Sequence, residues 1–194
     1  TTSLTAGAND ITLSNAGNNF TAAVTVVSGN NVSLNDTGAL SIASAAVAAG
    51  FTLTAGGAVD LGPSTVGGAL SVSAAGAGIT SITQSGALSV GTTTSLTPGA
   101  GNSVLLDNAA NDFTGAVGVA NGLNLTLRDA NALVLGAVSI TGALSLTAGG
   151  AITQTGALTV GTTTSLTPGG NGGTLSNAGN NFTAAGRVVA GNNV

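Results

Sequence analysis

Six aspartates (Asp10, Asp36, Asp60, Asp107, Asp112, Asp129) and two arginines (Arg128, Arg187) carry all the side-chain charge of this 194-residue chain. His, Cys, Lys and Glu are absent. Most nucleophile–base pairs draw on His, Cys or a poised Lys, so acyl transfer and thiol chemistry have no starting material. Carboxylates alone can cleave a glycosidic bond when two of them flank it. Asp107 and Asp112 share one expected rung of the repeat described below. Asp36 and Asp129 hold equivalent places in NDTGAL and RDANAL but lie four rungs apart, and Asp10 and Asp60 stand alone. That dispersion fits turn residues bonding their own backbone better than an acid–base pair. Arg128 beside Asp129 reads as a surface pair. Calcium-binding nonapeptides need Asp in a G-G-x-G-x-D pattern, and the nearest stretch, GGNGG at 169–173, has no carboxylate. No catalytic, cofactor-binding or metal-binding residue is therefore assigned, no cofactor is expected, and the chain is not expected to be an enzyme. The alternatives are a carbohydrate-active β-helix enzyme acting through Asp107 and Asp112, or an ice-binding solenoid.

Hydroxyls are the other resource. Thr12, Ser33, Thr52, Ser71 and Ser145 recur at outward strand positions, and TTT occurs at 92–94 and 162–164. Such ladders can bind ice, pack laterally or bear glycans, or simply be solvent-facing strand residues. Rungs of unequal length, such as 51–68 beside 93–122 in this reading, argue against the two-dimensional match that ice requires. Sequons at Asn19, Asn31, Asn35, Asn124 and Asn181 follow from Asn turns beside Thr-rich strands. A net charge of −4 with two cations excludes nucleic-acid binding. The uncharged stretch 39–59 imitates a membrane span, but Ser, Thr and Gly interrupt it, and four Phe cannot furnish the girdles of a β-barrel. No membrane insertion is expected.

These residues are set in an internal repeat. Residues 1–23 return at 163–185 with 19 of 23 positions identical, and 81–99 return at 151–169 with 16 of 19 identical. Fixed offsets indicate a solenoid or array. Short alternating runs (ITL 11–13, VSL 32–34, FTL 51–53, LSV 70–72, LTL 125–127, LSL 144–146) are separated by Gly/Asn/Asp clusters, the pattern of strands joined by tight corners. Units at 1–30, 31–50, 51–68, 69–92, 93–122, 123–142, 143–162 and 163–192 follow. The three longest, 1–30, 93–122 and 163–192, each carry an N-[N/D]-F-T element whose Phe (Phe20, Phe113, Phe182) reads as a core or corner plug. A unit of three short strands cannot bury its apolar face alone, so stacking is required. The expected fold is all-β: a right-handed parallel β-helix (β-solenoid) of about eight rungs. Residues 1–194 form one continuous segment, with a super-repeat spanning 1–162 and the next copy beginning at 163.

The phrases ITLSNAGNNFTAAVTV, LTLRDANALVLGAV and LSLTAGGAITQTGALTV resemble the repeat region of filamentous-haemagglutinin-like bacterial exoproteins, adhesins exported by two-partner secretion. The resemblance covers essentially the whole chain. It implies a β-helical shaft, an extracellular or bacterial cell-surface location, and a structural role presenting distal modules. Host receptor or glycan contacts would then lie outside this segment. The apolar ends (Leu4 and Ile11; Val188, Val189 and Val194) lead us to expect an uncapped piece of a longer rod that self-associates end to end, with lateral bundling through neutral faces.

Overall fold

The computed structural model describes residues 1–76, 80–170 and 172–188. Val189 and Val194, and Asn171 of the GGNGG stretch, lie outside them. Every described element is a β-strand, every pairing between strands is parallel, and the strands form two ladders of ten and thirteen. The architecture is the expected parallel β-solenoid, with about nine turns.

One coil shows how the chain wraps. Val32–Asp36 lies in the ten-stranded ladder, and the chain then turns into Leu40–Val47 of the thirteen-stranded one. That strand pairs in two halves: Leu40–Ile42 against Val59–Leu61, and Ala45–Val47 against Ser64–Val66. The next strand, Phe51–Ala55, returns to lie in register on Val32–Asp36. Each coil thus presents three short sides. All six alternating runs picked out in the sequence are strands, among them Ile11–Leu13, Leu70–Ala74, Leu125–Asp129 and Leu144–Ala148.

The coils are more even in length than the units expected from the sequence. The shortest coils are of the kind that sets Val117 opposite Leu135, and the longest of the kind that sets Leu70 opposite Thr94. The three longest units hold more than one coil: Thr2 already pairs with Val24, and Thr94 with Val117. Repeat phase and coil closure are therefore separate periods. One consequence is that equivalent sequences occupy different sides. Val32–Asp36 belongs to the ten-stranded ladder, whereas its counterpart Leu125–Asp129 belongs to the thirteen-stranded one.

Alternation places the aliphatics inside. Phe51–Ala55 runs buried, exposed, buried, exposed, buried. Registered stacking then builds internal columns: Val32, Phe51, Leu70, Thr94 and Val117 in one, and Leu34, Leu53, Val72, Leu96 and Val119 beside it. All ten are buried in one core that continues through the rod. Corners are tight. A Cβ at Gly67 would sit 2.2 Å from the carbonyl oxygen of Ala48 one coil below, so only glycine permits that approach.

Thr94 breaks the aliphatic rule. Its hydroxyl is buried without a hydrogen-bond partner, as is that of Thr164. A buried unsatisfied hydroxyl costs about 1–3 kcal/mol. Thr94→Val keeps the shape and removes the unpaired group, so it should stabilise the chain by about 1 kcal/mol. An upward shift in the urea midpoint is the expected reading, and a downward shift would reveal an unrecognised partner.

Candidate functional site

The aspartates do not converge. Asp36 and Asp129, expected as turn residues, are both 1% exposed. Each does cap its own turn: Oδ1 of Asp36 accepts from the Gly38 N–H at 2.8 Å, and Oδ1 of Asp129 from the Asn131 N–H at 2.8 Å. The second oxygen reaches the previous coil. Oδ2 of Asp36 accepts from the Phe20 N–H at 3.0 Å, and Oδ2 of Asp129 from the Phe113 N–H at 3.1 Å. The pair are corner staples holding the N-[N/D]-F-T element of one coil to the turn of the next. Burial pushes the Asp129 carboxyl above its ordinary range, opposed by the Asn131 and Phe113 N–H groups and aided by the Asp112 charge. Arg128 is exposed while Asp129 points inward, so the expected surface pair does not form. Neighbours along a strand point to opposite faces.

The other carboxylates serve locally. Asp10 is exposed and accepts from the Asn31 N–H at 2.9 Å and from Nδ2 of Asn30 at 2.8 Å and of Asn31 at 3.1 Å. The Asn31 N–H, followed by the two carboxamides, holds its carboxyl below the ordinary range. Asp60 accepts from the hydroxyls of Thr83 (2.9 Å) and Ser85 (2.8 Å) on the adjacent coil. Asp107 is exposed, and Asp112 pairs through its backbone with Ser89. Among the described residues, no group of three His, Cys, Asp or Glu could hold a metal ion. A shallow open groove of about 260 Å³ lies between Gly7, Ser28, Gly29, Val47 and Thr65 and contains no ionisable group.

Two polar devices escaped the sequence reading. The chain has two Gln, and each forms a reciprocal pair with an Asn of a neighbouring coil. Nε2 of Gln84 donates to Oδ1 of Asn111 at 2.8 Å, and Nδ2 of Asn111 donates back to Oε1 at 2.9 Å. Gln154 and Asn180 repeat this at 2.8 Å in both directions. Oδ1 of each Asn also accepts a backbone N–H at 3.0 Å, from Leu88 and Leu158. The second device lies in N-A-[AG]-N-[ND]-F-T itself. Asn15, Asn108 and Asn177 each cap the N–H two residues on, and Asn18, Asn111 and Asn180 each donate to the carbonyl five residues back. The motif is a corner, and its threefold recurrence was the available signal. Phe113 plugs the core, Phe20 packs partly against it, and Phe182 is exposed. Gln84→Leu leaves Asn111 only its bonds to Leu88 and Leu106 and should cost about 1–3 kcal/mol, whereas Thr93→Ala, at an exposed position, should stay within about 0.5 kcal/mol. Urea titration of the two variants checks this, and equal losses would refute it.

Three of the five sequon asparagines are structurally engaged. The carboxamide nitrogens of Asn31, Asn35 and Asn124 donate to Asp10, the Ser14 carbonyl and Ser103 respectively, while Asn19 and Asn181 are exposed. The outward hydroxyls of Thr12, Ser33, Thr52 and Ser71 stack in register. Among the described residues no helix is long and apolar enough to cross a membrane.

No curated protein and no solved structure matches the chain. One family does, described as repeats of unknown function (DUF5649), over residues 1–27, 29–80, 48–120 and 122–189. Those four stretches take in nearly the whole solenoid, and the chain belongs to this family of repeats.

Proposed function

We propose that this chain is a structural shaft: a stretch of stiff, stacked rungs that holds other modules away from a bacterial surface. The observation that carries the reading is the unbroken parallel ladder from Thr2 to Val188 around one core. Each coil contacts its neighbours along the axis, so length grows with repeat number while the cross-section stays constant. The resemblance to filamentous-haemagglutinin-like exoproteins supports export, an extracellular or cell-surface location, and continuation into a fibre. A charged content of 4% gives little lateral repulsion, which supports bundling of rods. Adhesion in this reading belongs to regions beyond the shaft.

Immunogold labelling of the native source with antibody raised against residues 1–162 tests the proposal. Gold along thin filaments outside the cell is the expected result. Gold confined to the cytoplasm would overturn it.

A further inference from the structure

We propose that the outer face of the ten-stranded ladder, from Thr12 to Thr97, is a lattice-binding surface whose ligand is ice. Two rows of polar side chains run along it. Thr12, Ser33, Thr52, Ser71 and Ser95 form one, and Asn35, Thr54, Ser73 and Thr97 form the other. Unequal rung length counted against ice in the sequence. The structure removes that objection, because coil length varies while the register of this face does not. The chain takes a shorter path from Val32 to Phe51 than from Leu70 to Thr94, yet the five strands pair without a shift. Neighbouring strands place the groups about 4.8 Å apart along the rod, and alternate residues about 6.6 Å apart along each strand.

The groups are also available. The hydroxyls of both rows have no hydrogen-bond partner among the described residues, whereas those of Thr83, Ser85 and Thr183 elsewhere are engaged. Thr12, Thr52, Thr54 and Thr97 add methyl groups between the hydroxyls. The face lacks the groups that several other ligands need. It has no cation for nucleic acid and no aromatic ring to stack on a sugar. Five strands of three to five residues cover at most roughly 24 by 16 Å, below the ~800 Å² per partner of a stable protein interface, so bundling of rods needs more length than this stretch supplies. A repeating water lattice needs none of these; it needs free hydroxyls at regular spacing, which the registered rows supply.

The opposite ladder supplies an internal control. Thr126, Ser145 and Ser165 stack there too, but Leu105 and Arg187 occupy the two ends of that row, and Arg128 stands in the adjoining row with Thr147 and Thr167. The test is partition of the labelled whole chain into a slowly growing ice hemisphere, with recrystallisation of frozen sucrose solution as a second readout. The wild type and Thr147→Lys should enter the ice. The Thr52→Lys/Ser71→Lys double variant should enter about tenfold less, equivalent to about 1.4 kcal/mol. Thr54→Lys, in the second row, should fall in the same direction and decides the matter if the double variant does not fold. Exclusion of the wild type from ice, partition of Thr54→Lys at the wild-type level, or an equal loss with Thr147→Lys would each overturn the proposal.

Discussion

Asp129→Ala should destabilise the chain by about 1–3 kcal/mol. The substitution leaves the buried N–H of Phe113 unpaired, while the exposed Asn131 N–H loses its cap but can turn to water. Asp129→Asn keeps one acceptor and should fall between the variant and the wild type. Because solenoids open locally, hydrogen exchange gives the sharpest reading: protection at Phe113 and Asn131 should drop while that at Leu34 and Leu53 persists. The pH dependence follows from the same carboxyl. Its folded pKa is raised, so between the ordinary carboxylate value of 3.8 and that raised value the folded state binds more protons than the unfolded one. Stability due to Asp129 therefore increases as pH falls through that window. Asp10 acts in the opposite sense: its lowered pKa gives a contribution present above 3.8 and lost as pH drops through its folded value. Asp10 is exposed, so the Asp129 trend should dominate. Wild-type melting temperature should hold or rise on acidification from pH 7 towards about 4, and Asp129→Ala should lose the rise. An acid profile of Asp129→Ala identical to that of the wild type would contradict this assignment.

Phe51→Ala should cost about 3–5 kcal/mol, the usual range for emptying a buried aromatic site. Phe51 is fully buried between Val32 and Leu70 in an internal column. Neighbouring strands are held in place by their ladders and cannot collapse freely into the cavity. Damage should spread to Val32–Asp36 and Leu70–Ala74 and fade before Leu144–Ala148, as expected where coupling is nearest-neighbour. Phe182→Ala, at an exposed position, should change stability by less than about 1 kcal/mol. Equal costs at the two positions would mean that the columns do not carry the packing energy.

What was legible in the sequence was local. Alternation of the ITL, VSL and FTL type identifies strands and their inward residues without reference to the rest of the chain, and those strands form as expected. The turn-capping half of Asp36 and Asp129 was legible for the same reason, since its partner lies two residues away. The stapling half was not, because Phe20 and Phe113 lie 16 residues upstream and the contact exists only once coil length is known. Coil length was misjudged because repeat phase was taken for coil closure. The reciprocal Gln–Asn pairs span 26 or 27 residues, more than one coil, and no local pattern announces them. Register on the hydroxyl face was hidden for the same reason: equal stacking from unequal spacing appears only when the corners absorb the difference.

Extension along one axis is the central claim, and tandem chains carrying one, two and three copies of residues 1–162 test it most directly by electron microscopy. Successive partners from Ile11 through Val32, Phe51, Leu70, Thr94 and Val117 to Leu135 and Gln154, with Ile152 in turn bridged to Gly173, place about eight coils in each copy. At about 4.8 Å per coil, each added copy should lengthen the particle by about 38 Å at unchanged width. Particles that widen instead, or that appear as separate beads joined by thin linkers, would contradict a continuous shaft.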